Sequence, residues 1–153
     1  MSDYTIANLK EIDDSAGEYA PDLEAHFARK HLDSDHLGVS YFRYGPGFRS
    51  PMGHSHREQE EVYVVVNGSG RIKLNDEIVE LRQWDAVRVA PKTVRALEGG
   101  PDGLEVIAIG ADRTERRRRR SRERLVDRLN RETDLRPSAG SSVAVVELVS
   151  RRS

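Results

Sequence analysis

The chain has 153 residues, 37% of them hydrophobic and 33% charged, enough for one domain around one buried core. It contains no cysteine, which excludes disulfides, thiolate metal sites and a cysteine nucleophile. The net charge of −1 conceals an asymmetry: residues 1–112 carry 12 Lys+Arg against 20 Asp+Glu, a balance of −8, and residues 113–153 carry 13 against 6, a balance of +7. An acidic globular part is therefore followed by a basic extension. The N-terminus, MSDYTIANLKEIDD, is polar and lacks the apolar stretch of a secretory signal. No segment approaches the roughly 18 apolar residues of a membrane span, so a cytoplasmic protein with no membrane partner is expected.

Residues 1–34 read as an N-terminal strand/helix segment. Pro21 and Asp22 suit a helix start, and Leu23 and Phe27 lie four apart, which predicts a short amphipathic helix over 21–32. From Gly38 onward the chain offers short Val-, Ile- and Tyr-rich stretches at 38–44, 61–66, 70–74, 78–82, 85–90, 93–98 and 104–110. Turn signals separate them: Asn67-Gly68, Asn75-Asp76 and the run Gly99-Gly100-Pro101-Asp102-Gly103. The prediction is an all-β domain over 35–112, a sandwich or a small closed barrel, and periodicity alone does not choose between them. Residues 113–153 form an Arg-rich extension. It contains five consecutive arginines at 116–120, acidic residues Glu123, Asp127 and Glu132 at helical spacing from arginines, a linker at 137–142, and an apolar run at 143–149 that reads as a strand or a sticky segment. No helix-turn-helix or aromatic-interleaved basic motif accompanies the arginines, and nucleic acid is not the expected partner.

The stretch GHSHREQEEVYVVVNG at 53–68 carries the chemistry. Residues i and i+2 of an extended chain face the same side, so His54 and His56 can point to one spot. A carboxylate from Glu61 would complete a ligand set of two nitrogens and one oxygen. The spacing His54-x-His56-x4-Glu61-x6-Gly68 resembles the first motif of the cupin superfamily, with Gly47 standing loosely for the leading glycine. The resemblance covers about residues 35–110. It implies a double-stranded β-helix barrel of jelly-roll type, a small-molecule cavity inside it, and a homodimer joined through edge strands.

A metal-binding cupin usually adds a third histidine from a second motif. The matching stretch here is Trp84 to Ala96, in which Asp85 and Pro91 echo the pattern and Trp84 replaces a glycine. The histidine position falls on Arg95 or Ala96, and a guanidinium has only donors and cannot ligate a cation. Two readings of the site follow. In the first, His54, His56 and Glu61 hold one divalent ion (Mn, Fe, Ni or Zn), with Glu60 a lesser ligand. In the second, the barrel is a non-catalytic ligand-binding or sensor module in which Arg95 replaces the metal and clamps an anion. Tyr41, Tyr63 and Trp84 are candidates to line the cavity and stack on its ligand. His26, His31 and His36 read as packing or surface residues. The cupins catalyse many reactions, so the resemblance selects no particular one.

Overall fold

The structure, a computed structural model, describes residues 3–111. The arginine run, the 137–142 linker and the 143–149 run lie outside the described residues. Six strands form one antiparallel sheet that folds back on itself: β1 (Leu23–Phe27), β2 (Leu37–Tyr44), β3 (Glu60–Leu74), β4 (Glu77–Arg82), β5 (Ala86–Val89) and β6 (Arg95–Ala111). The order is β1-β2-β6-β3-β4, and β5 pairs with β3. The helical turns among the described residues are two short 3-10 segments, Leu9–Glu11 and Gly17–Tyr19.

The helix expected over 21–32 is not formed. Pro21 and Asp22 make a turn instead, and the Asp22 carbonyl accepts from Gly45 N at 2.7 Å. Beyond it, Leu23, Ala25 and Phe27 alternate with Glu24 and His26, which is the period of a strand. Pairing with β2 (Leu23↔Tyr44, Phe27↔Ser40) turns the apolar set inward. Outward-facing His26 is buried, with Nδ1 2.6 Å from the Ile12 carbonyl oxygen and its ring beside Tyr41. The non-local ladder outweighs the local start signal.

Two pairs of expected strands are continuous. The 61–66 and 70–74 stretches are both in β3, and the 93–98 stretch, from Arg95 onward, and the 104–110 stretch are both in β6. The glycines between them serve as bends rather than hairpin turns. β3 pairs with β6 along nearly its whole length, with register shifts at Val65/Asn67 and Gly68/Gly70. Gly68 sits there at φ 72°, and an added Cβ would collide with the Gly103 carbonyl oxygen. Such bulges sharpen the local twist, so both long strands curve and each serves both halves of the barrel.

The core lies between these halves. Tyr44, Val65, Ile72, Leu81, Val89, Leu97, Leu104 and Val106 are buried in one cluster. Inward residues of β3 below the bulge are Glu61, Tyr63 and Val65, whose register partners on β6 are Gly110, Ala108 and Val106. Small residues on β6 thus face polar ones on β3, and this leaves an opening at that end of the barrel.

Candidate functional site

The segment before β3 runs antiparallel to the start of β6 and positions the two histidines. His54 and Arg95 exchange backbone hydrogen bonds, His54 N to Arg95 O at 3.0 Å and Arg95 N to His54 O at 2.9 Å. His56 N donates to Pro91 O at 2.8 Å. The imidazoles stand 5.3 Å apart between centroids, edge to face. Glu61 arrives from the start of β3, and one ligand atom from each of His54, His56 and Glu61 lies within 4.8 Å of the others.

The Glu61 carboxylate divides its two oxygens between two tasks. Oε2 accepts from the Tyr63 hydroxyl at 2.6 Å and from Arg95 Nη2 at 2.5 Å. Oε1 faces His56 Nε2 at 3.1 Å. That approach lacks hydrogen-bond alignment, and His56 Nε2 is buried with no hydrogen-bond partner. A buried ring nitrogen left unsatisfied beside a carboxylate oxygen is unfavourable unless something sits between them. Two ligand atoms each about 2.1 Å from an ion, at right angles, stand about 3.0 Å apart. The His–Glu pair therefore has the spacing of adjacent ligands, and the donor set of two imidazoles and one carboxylate fits a divalent metal.

Arg95 is 1% exposed and its side chain turns inward, so Arg95 rather than Ala96 reaches Glu61. Its remaining hydrogen bonds go to Tyr63 Oη at 3.3 Å, Pro91 O at 3.3 Å and Thr93 O at 3.1 Å. A guanidinium has five N–H groups, and these four protein acceptors occupy most of them. The geometry makes Arg95 a strut that fixes Glu61. Burial pushes the Glu61 carboxyl up, but the hydrogen bonds from Arg95 and Tyr63 outweigh it and hold the group below the usual carboxylate range. Burial and the Glu61 acceptor push the Tyr63 phenol well above its ordinary value, so it stays a donor. Partial burial, and then the charge of Arg95, hold the His54 imidazole below its usual value, which favours the neutral ring that a metal ligand requires.

The site lies at one end of a cavity of about 490 Å³, within the size range of small-molecule pockets. His54, His56, Glu61, Tyr63 and Arg95 all line it. Tyr41 and Trp84 do not. Ser40, Phe42 and Tyr44 of β2 face the cavity, so Tyr41 must face outward, where its hydroxyl donates to Glu105 Oε2 at 2.7 Å. Trp84 lies in the β4–β5 turn at φ 72° and is 72% exposed. Glu60 also points away, pairing with Arg88 at 2.7 Å. The sequence reading missed Phe27, Phe42, Tyr44, Met52 and Gln59 as lining residues. For Phe42 and Tyr44 the strand alternation was the available signal. Gln59 packs where a Cβ on Gly110 would stand, a relation between distant segments with no local signal.

No family model and no curated protein matches the sequence. Solved structures do match. A cupin protein from Bacteroides fragilis is 23% identical over 73% of this chain and 86% of its own, with a TM-score of 0.62. A cupin-superfamily sugar phosphate isomerase from Silicibacter pomeroyi is 15% identical over 69% of this chain and 74% of its own, with a TM-score of 0.58. KdgF from a Halomonas species is 22% identical over 71% of this chain and 94% of its own, with a TM-score of 0.57. The fold of this chain is the cupin jelly-roll. Within it, His54, His56 and Glu61 form a group that could hold a metal ion. No helix of the described residues is long and apolar enough to cross a membrane.

Proposed function

We propose that the barrel holds one divalent metal ion on His54, His56 and Glu61 and presents it to a small molecule entering the cavity. The observation that carries this reading is His56 Nε2, buried without a hydrogen bond yet 3.1 Å from Glu61 Oε1. Two imidazoles and one carboxylate are three protein ligands, so a bound ion would keep room for a further ligand, and Mn, Fe, Ni and Zn all accept such a set. A bound ion would supply Lewis-acid polarisation of a ligand oxygen, or oxygen activation where the ion is iron. The chain's own residues set up the site. Arg95 and Tyr63 hold Glu61 Oε2 so that Oε1 faces the histidines. Phe42, Tyr44 and Leu97 give the cavity beyond the site an apolar wall. Arg95 as a free anion clamp is less well supported, because its hydrogen bonds go to protein acceptors.

Elemental mass spectrometry of the untagged full chain, after incubation with Mn, Fe, Ni and Zn salts and desalting, tests the reading. Near-stoichiometric metal is expected in the wild type, and its loss in the His54→Ala, His56→Ala double variant. A wild type that stays metal-free after loading refutes it.

A homodimer is part of the same proposal. The outward face of the sheet carries Val39, Ile109 and Val62 in one row of register, with Val64 and Ile107 beside them, and Ile109 is 40% exposed. A contiguous apolar face of this kind favours self-association. Light scattering should give twice the chain mass for the wild type and a smaller species for Ile109→Asp. A monomeric wild type at micromolar concentration would remove the dimer.

A further inference from the structure

The walls of the cavity differ in character from its metal end. Phe27, Phe42 and Tyr44 form a row along β1 and β2: the Phe27 and Phe42 rings meet edge to face at 5.7 Å, and Phe42 and Tyr44 lie tilted at 6.4 Å. Phe27 is half exposed at the mouth, and Tyr44 is buried at 7% exposure. Phe27 is level with Ser40, near the Glu61 end, and Tyr44 is level with Leu104, so an aromatic strip leads from the mouth past the site into the barrel. Leu23 and Met52 extend it, and Ser40 and Gln59 add neutral hydrogen-bonding groups.

The charges in the cavity are few. Among its described lining residues Arg95 is the only cation apart from the histidines, and it is committed to Glu61 and three other protein oxygens. A phosphate carried away from the metal would have to lie against the aromatic strip with no cation to meet it. Desolvating a charge without a partner is strongly unfavourable. A ligand held by the metal alone needs its anionic or polar oxygens gathered at one end, and an ion with three protein ligands would have room for two oxygens on neighbouring carbons.

Resting on the metal reading above, we infer that the cavity takes a non-phosphorylated chelating molecule with a two-oxygen head, such as an α-hydroxy carboxylate, and an aromatic or branched apolar body. The head binds at the His54–His56–Glu61 end, and the body lies along Phe27, Phe42 and Tyr44.

Three probes with one head and different tails separate the terms: lactate, 3-phenyllactate and 3-phosphoglycerate. Affinities are measured by isothermal titration calorimetry on the full chain loaded with Zn(II), its metal content determined beforehand. Phenyllactate should bind at least tenfold more tightly than lactate, and phosphoglycerate no more tightly than lactate. In Phe27→Ala, a change at the exposed mouth, the phenyllactate advantage should shrink about threefold or more with metal content and lactate affinity unchanged. Equal binding of lactate and phenyllactate overturns the inference, as does phosphoglycerate binding as tightly as phenyllactate or an advantage indifferent to Phe27. Those outcomes leave the metal reading standing. A protein that takes up no metal removes that reading and this inference together.

Discussion

Arg95 stands where a third metal ligand would be expected, and replacing it with methionine separates its two effects. Methionine fills much of the same volume without charge. In the metal-free protein the change leaves the Glu61 carboxylate, whose side chain is 12% exposed, without its cationic partner. Removing one member of a buried ion pair costs about 3–5 kcal/mol. Tyr63 still donates to Oε2 and the cavity admits water, so the lower end of about 3 kcal/mol is expected. For a domain of this size that lowers Tm by on the order of 15 °C. The metal-bound protein should respond in the opposite sense. A unit charge about 4 Å from another interacts by roughly 4 kcal/mol at an effective dielectric of 20, and a divalent ion doubles this. If about 1.4 kcal/mol of that repulsion survives screening, Arg95→Met binds the ion tenfold more tightly. Loss of the strut also frees Oε2 as a second ligand atom. The assay is thermal unfolding by circular dichroism, with EDTA and with Zn(II), alongside calorimetric titration of the metal. Arg95→Met should be the less stable protein with EDTA and should gain more Tm from Zn(II) than the wild type. An apo variant as stable as the wild type, or one that binds metal no more tightly, would refute the reasoning.

Two further outcomes follow from the scaffold. Hydrogen bonds from Asn67, then Tyr41 and Lys10, hold the Glu105 carboxyl below its usual range against the opposing effect of burial. A depressed folded-state pKa contributes stability that is present above the unfolded value of about 4.3 and is lost as pH falls through the folded value. Glu105→Gln should therefore cost about 1 kcal/mol at neutral pH, with the gap to wild type narrowing below about pH 4 in urea melts; a gap independent of pH would contradict this. Gly68→Ala combines φ 72° with a collision against the Gly103 carbonyl oxygen. It should destabilise the barrel by about 2 kcal/mol or more, read as a lower urea midpoint at unchanged slope, and a neutral substitution there would show that the paired bends are not close-packed.

The sequence by itself determined the parts of this protein that depend on local period. His54 and His56 share a side because they are two apart in extended chain, and the alternation in β2 and β3 marks which residues can face inward. Glu61 and Gly68 follow at spacings that resemble the cupin motif, and that resemblance implies a barrel with a ligand end. The tertiary structure decided what depends on distant partners. Leu23–Phe27 became a strand because β2 was there to pair with it, against the helix-start signal of Pro21 and Asp22. Asn67-Gly68 and the 99–103 glycines became facing bends because β3 and β6 curve together, which neither segment encodes alone. Tyr41 and Trp84 were separated from the cavity by strand parity and by a turn. The division of Glu61's oxygens was settled by Arg95, 34 residues away in the chain. Its guanidinium takes Oε2 and leaves Oε1 to the histidines, and hydrogen-bond geometry of that kind exists only once the two strands are side by side.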